Sequence, residues 1–216
     1  NTEVRRFDVT LTADFVPTLV ENGTYGAGQL YKTITRDENY TSGTDNTIEE
    51  FKDKEGHILL KRTYEGANKL DTYYVYDIYG NLTYVLPPKL SLLSAFSPEL
   101  LANLAYQYQY DSRNRLVEKQ LPGKGREYMV YDKQNRLVAT QDSEQRKTNT
   151  WLFTKYDAFG RVLMTGTYTN ATTRAALQTT VEGFAANNEG LGTALVTRYD
   201  NKAFPATTEA DLLTIN

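Results

Sequence analysis

The dipeptide Tyr-Asp occurs five times, at Tyr76-Asp77, Tyr110-Asp111, Tyr131-Asp132, Tyr156-Asp157 and Tyr199-Asp200, far more often than 17 tyrosines in 216 residues give by chance. The first four copies extend into a common unit: Tyr76-Asp-Ile-Tyr-Gly-Asn-Leu82, Tyr110-Asp-Ser-Arg-Asn-Arg-Leu116, Tyr131-Asp-Lys-Gln-Asn-Arg-Leu137 and Tyr156-Asp-Ala-Phe-Gly-Arg-Val162. A repeat at short period fixes the architecture first, because every copy must build the same small unit and stack on its neighbours.

The unit reads as a turn between two strands. Asp suits the first position of a type I turn, where its carboxylate accepts a backbone N–H. The fifth residue must then take a left-handed backbone to start the return strand. The residues there are Gly80, Asn114, Asn135 and Gly160, the two types that tolerate positive φ best. The flanks are short and rich in aromatic and β-branched residues, as strands require. Thr72–Tyr76, Ala105–Tyr110, Glu127–Tyr131 and Trp151–Tyr156 lead in; Leu82–Leu86, Leu116–Gln120, Leu137–Thr140 and Val162–Thr165 lead out. A copy without tyrosine stands upstream at Lys52-Asp53-Lys-Glu-Gly56-His57-Ile58. The fifth Tyr-Asp is a broken copy, with Ala203 at the Gly/Asn place and Pro205 close behind.

Repeat spacings of 24, 34, 21, 25 and 43 residues, counted from Lys52, leave two insertions. Ser97-Pro98-Glu99 offers an N-cap, a first-turn proline and an early acid for one helix. Leu177, Val181 and Phe184 fall at helical spacing after Thr172 or Thr173 for another. Thr208-Glu-Ala-Asp211 resembles a capping box, so Leu212, Leu213 and Ile215 are expected to end the chain as a helical turn. At the other end Phe7, Val9, Leu11, Ala13 and Phe15 alternate with polar residues as a strand. Leu30–Thr35 and Ile48–Lys52 form a further strand pair. The expected fold is all-β: consecutive antiparallel hairpins with short helical insertions. We read 1–216 as a single segment, with N-terminal strands in 1–50, the repeats in 51–165 and a degenerate repeat with a helical insertion in 166–216.

A net charge of −3 gives no basic footprint for nucleic acid or an anionic membrane. No apolar run is long enough to span a bilayer. Without cysteine there is no disulfide, thiolate nucleophile or cysteine zinc site. The chain opens on Asn and is expected to be an excerpt or a processed product.

The chemistry-bearing residues read as scaffold. The repeated Asp is a turn-capping side chain in preference to a calcium ligand, since a calcium cage needs several oxygens converging on one ion and here the acids are a hairpin apart. His57, the single histidine, is expected to be exposed just past a turn. The glycines at Gly23–Gly28 and Pro122–Gly125 lack the context of a phosphate cradle. Arg115, Arg136 and Arg161 are expected to cover neighbouring aromatics and meet acids across strands. No catalytic, cofactor or metal residue is expected. The structural set is Tyr76, Asp77, Gly80 and Leu82; Tyr110, Asp111, Asn114, Arg115 and Leu116; Tyr131, Asp132, Asn135, Arg136 and Leu137; and Tyr156, Asp157, Gly160, Arg161 and Val162.

Tyr-Asp-x-x-Gly-Arg-Leu is similar to the signature of the Rhs (YD) repeat proteins, and Tyr156-Asp-Ala-Phe-Gly-Arg161 matches it almost throughout. The stretch from about Glu49 to Thr167 resembles a bacterial Rhs subgroup. The resemblance implies a spiralling β-sheet that forms a shell around a C-terminal effector, in a secreted or cell-surface protein. The implied partners are the rest of a larger polypeptide and its effector, with no nucleic acid and no membrane span. The sequence holds no segment of the kind that closes such a shell, so the resemblance implies a length of wall. The alternative is a surface carbohydrate-binding or adhesion module, in which rows of tyrosines stack on glycan.

Overall fold

The computed structural model describes residues 3–192, 198–206, 208 and 211–215. The chain forms two compact units, Asn1–Lys124 and Gly125–Asn216. In both, strands follow one another as antiparallel hairpins, as the repeat predicts.

In the first unit β1 (Arg5–Leu11) pairs with β2 (Pro17–Thr24). A separate sheet runs through β3 (Tyr31–Arg36), β4 (Thr47–Lys52), β5 (Ile58–Glu65), β6 (Asn68–Tyr76), β7 (Leu82–Leu86), β8 (Tyr106–Tyr110) and β9 (Leu116–Gln120), each pairing with its neighbours in sequence. The short helices α1 (Pro88–Ser91) and α2 (Pro98–Leu104) fill the first insertion. Ser97 caps α2 by accepting the Leu100 N–H, as expected, and Leu100, Leu101 and Leu104 pack on the core. Phe51, Leu60, Tyr73, Val75, Tyr84 and Leu86 form that core from the sheet side. Phe7 and Val9 close it from β1, with Phe7 edge-on to Tyr73 at 5.0 Å.

The second unit continues the pattern through β10 (Glu127–Tyr131), β11 (Leu137–Gln141), β12 (Thr150–Tyr156), β13 (Val162–Thr169) and β14 (Leu212–Ile215). Between β11 and β12 lies α3 (Ser143–Lys147), with a capping box between Asp142 and Gln145 that the sequence reading passed over. After β13 comes α4 (Arg174–Gly183), capped by Thr173, which buries Leu177 and Val181 against Val130, Val138, Trp151 and Phe204.

Every repeat hairpin carries the same irregularity. The tyrosine position lies opposite the seventh residue (Lys52 with Ile58, Tyr76 with Leu82, Tyr110 with Leu116, Tyr131 with Leu137, Tyr156 with Val162) and the residue before it lies opposite the ninth. The eighth residue is the extra one of a β-bulge. The bulge breaks the simple alternation of strands: Thr83 and Tyr84, Val138 and Ala139, and Leu163 and Met164 are buried as consecutive pairs.

Two expectations at the ends are corrected. The alternation from Phe7 stops at Leu11, because Phe15 N–H bonds the Thr12 carbonyl and turns the chain with Phe15 at φ 58°. Ala13 and Phe15 therefore belong to the turn. Leu212, Leu213 and Ile215 form a strand, where a helical turn was expected. Asp211 does accept the Thr208 N–H and hydroxyl, but it ends a turn, and the chain then pairs along β13. Glu209 and Ala210 lie outside the described residues.

Gly160 has φ 82° and no atom near the place a Cβ would take. Gly160→Val should therefore lower stability by about 1–3 kcal/mol through backbone strain alone, while Gly160→Asn stays near the parent. Thermal unfolding of the two variants checks this; an unchanged melting temperature for the valine variant would count against the turn.

Candidate functional site: the repeated turn

The turn uses each polar atom of its aspartate. In turn two, Asp111 Oδ1 accepts the N–H groups of Arg113 (2.9 Å) and Arg115 (3.0 Å), and Oδ2 accepts Arg115 Nε (2.7 Å). Asp132 does the same with Gln134 and Arg136, and Asp157 with Phe159 and Arg161. Asp77 keeps the pattern with Tyr79 and Asn81, the Asn81 amide standing in for the guanidinium. Even the tyrosine-less copy holds it: Asp53 accepts the His57 N–H at 2.8 Å and faces His57 Nδ1 at 3.0 Å. The backbone closes each loop, with the fifth residue donating to the Asp carbonyl. The left-handed φ values are 80° at Gly80, 57° at Asn114, 62° at Asn135 and 82° at Gly160.

This geometry gives each repeat arginine a partner within its own turn. Arg115, Arg136 and Arg161 each pair with the Asp of their own turn, four residues earlier. The reason is reach: the left-handed fifth residue folds the sixth side chain back over the carboxylate. His57 is also not free in solvent. Its ring is half-buried, stacked on Tyr76 at 4.6 Å and bonded to Asp53.

Three of the tyrosines join one repeat to the one before. Tyr76 donates its hydroxyl to the Ile58 carbonyl (3.3 Å), Tyr110 to Leu82 (3.1 Å) and Tyr156 to Leu137 (2.8 Å). In each case the acceptor is the seventh residue of the preceding unit. The sixth residue covers the tyrosine ring at two of these joints: His57 lies on Tyr76, and the Arg136 guanidinium sits 4.6 Å over Tyr156. Repetition in the sequence signalled that these side chains mattered. It did not show that they reach backwards, because that depends on the strand register. The fifth Tyr-Asp makes no such turn: Tyr199 bridges Leu191, and Asp200 accepts the Gly190 N–H.

Charge reinforces the turns. Burial pushes the Asp111 carboxyl up, but hydrogen bonds from Arg115 and Arg113 outweigh it and hold the group below the usual carboxylate range. Asp157 is lowered in the same way: burial opposes, and Arg161 and Phe159 prevail. The Gly190 N–H, with Lys202 nearby, brings Asp200 down to about 2. A carboxyl whose folded pKa is depressed stabilises the fold above its unfolded pKa, and that stability is lost as pH falls through the folded pKa. The melting temperature should thus hold steady from neutral pH down to about pH 5 and fall below about pH 4. Asp111→Asn should melt lower than the parent at pH 7, with the gap closing toward pH 2; a constant gap across that range would refute the assignment.

Sequence reasoning missed one buried cluster in the second unit. Lys155 and Glu189, whose side chains are fully buried, meet at 2.7 Å. Lys155 Nζ also donates to Asn201 Oδ1, and Glu189 accepts the Lys202 N–H. Lys155 occupies the place before the repeat tyrosine, where other copies have Val75, Gln109 and Val130. A lysine there was the available signal. A surface cleft in the first unit is lined by Phe15, Tyr79, Asn81, Tyr108 and Asn114 among others.

No helix among the described residues is long and apolar enough to cross a membrane. No family model matches the chain, and no curated protein does. Solved structures resemble it over part of its length. The TcdB2-TccC3-TEV crystal structure is 18% identical with a TM-score of 0.45, covering 59% of this chain and 6% of that one. The Photorhabdus luminescens Tc holotoxin pore is 20% identical, with a TM-score of 0.44 and the same coverages. TcdB2-TccC3 without its hypervariable C-terminal region is 17% identical, with a TM-score of 0.44, covering 70% of this chain and 8% of that one. The chain thus spans less than a tenth of the length of these structures.

Proposed function

We propose that this chain is a structural wall segment of a larger secreted or cell-surface polypeptide, and that the wall encloses or presents a cargo or effector. One observation carries the reading: the repeated Asp and sixth-position side chains are spent on turn closure, and Tyr76, Tyr110 and Tyr156 on tying a hairpin to the one before. The Asp oxygens face N–H and guanidinium donors. The hydroxyls of Tyr76, Tyr110 and Tyr156 are donated to backbone carbonyls. A site for chemistry would need such groups free and convergent, so the role proposed is not catalytic. The sequence resemblance to Rhs (YD) repeats supplies the idea of enclosure.

The carbohydrate-binding alternative needs open tyrosine faces. His57 and Arg136 lie over Tyr76 and Tyr156, which favours the wall. The deciding experiment is limited proteolysis of the full polypeptide. An enclosed segment should resist protease in the parent and become cleavable when Tyr110→Ala and Tyr156→Ala loosen the wall. Equal cleavage in both would sink enclosure, and saturable binding on a glycan array would revive the alternative.

A further inference from the structure

The last strand, β14, stands in the register of a lead-in strand. At three junctions between hairpins, the ninth residue of one repeat lies opposite the residue three before the next tyrosine. Leu60 faces Tyr73, which precedes Tyr76 by three; Tyr84 faces Gln107, before Tyr110; Ala139 faces Phe153, before Tyr156. In the last repeat the ninth residue is Met164, and it faces Ile215. The same offset puts the next tyrosine position two residues beyond Asn216. Tyr199, the next Tyr-Asp in the sequence, is therefore not the structural successor of Tyr156.

The surface that would receive such a residue is open among the described residues. In three earlier turns, at Ile58, Leu82 and Leu137, the seventh residue's carbonyl takes a tyrosine hydroxyl, and His57 and Arg136 show the sixth side chain covering the ring. In the last turn these places belong to Val162 and Arg161. Val162 is 41% exposed. The Arg161 side chain is 75% exposed, against 11% for Arg115 and 16% for Arg136. The Arg161 guanidinium lies 5.3 Å over Phe159 of its own turn.

We infer that β13 and its turn form a docking edge for one further tyrosine-aspartate hairpin of the same polypeptide, with β14 as its first strand. Its tyrosine donates to the Val162 carbonyl and lies under Arg161. This holds whether or not a cargo is enclosed.

The test appends a second copy of residues 155–169 directly after Asn216. The copied tyrosine then falls two residues beyond Asn216. The in-register extension should raise the melting temperature of the second unit by about 2–4 °C, the shift that one modest set of contacts gives in a chain of this size. It should also slow amide exchange across β14. Replacing the copied tyrosine with phenylalanine should remove part of the gain. Inserting one alanine before the copy turns every following side chain to the opposite face and should remove all of it. No gain from the in-register copy, or an equal gain from the shifted one, overturns the inference. Neither result bears on protease protection of a cargo, so the two proposals fail separately.

Discussion

Replacing Lys155 with methionine should cost the second unit about 3–5 kcal/mol, the penalty for leaving a buried partner charge uncompensated. Lys155 and Glu189 have no side-chain exposure, and their 2.7 Å contact spans 34 residues of sequence. Burial pulls the lysine ammonium below its ordinary value, and Glu189 pulls the other way. The pair also holds the loop after α4 on β12, since the Glu189 N–H donates to the Tyr156 carbonyl. Lys155→Met takes away the cation that meets the Glu189 carboxylate and leaves it the Lys202 N–H. Lys155→Met with Glu189→Leu removes both charges and should recover much of the loss, because a buried ion pair adds little over well-packed apolar side chains. Urea denaturation of the two variants measures this. Trp151, the sole tryptophan, reports the second unit by fluorescence. A double variant as unstable as the single one would show that the lysine acts by packing and not by charge.

The turns were legible in the sequence because their chemistry is local. A left-handed fifth residue restricts the choice to Gly or Asn, and a carboxylate three places earlier caps the loop. Both signals lie within seven residues. The helix caps at Ser97 and Thr173 were legible for the same reason. What joins the repeats was not legible. The hydroxyl of Tyr110 reaches a carbonyl 28 residues back, and only the register says which one. The bulge at the eighth residue was hidden too. It makes Leu163 and Met164 both buried, where strict alternation would expose one. The C-terminal strand was misread because Thr208 and Asp211 do form the local contact that a helix start would use. The choice between helix and strand was then made by the open edge of β13, which is tertiary. Arg161 finds its carboxylate four residues back, in its own turn, where cross-strand spacing points to a different acid.

Trp151→Ala should be the other severe lesion, at about 3–5 kcal/mol for deleting a large buried aromatic. Trp151 is wholly buried at the start of β12, among Val130, Val138, Leu177, Val181 and Phe204. Those residues come from β10, β11, α4 and the chain beyond α4. The ring is thus the shared surface on which the α4 insertion meets the repeat strands. Its Nε1–H also donates to the Asn170 carbonyl at 3.1 Å, fixing the chain as it leaves β13 for α4. Trp151→Phe keeps most of the packing and strands that carbonyl, so its cost should be smaller, about 1–3 kcal/mol. Circular dichroism against urea separates the two, since the fluorescent reporter is lost. The order of the two variants decides what holds α4: if phenylalanine were as damaging as alanine, the hydrogen bond and not the core would keep it in place. With alanine the worse of the two, the insertion is held chiefly by apolar burial against the repeat strands.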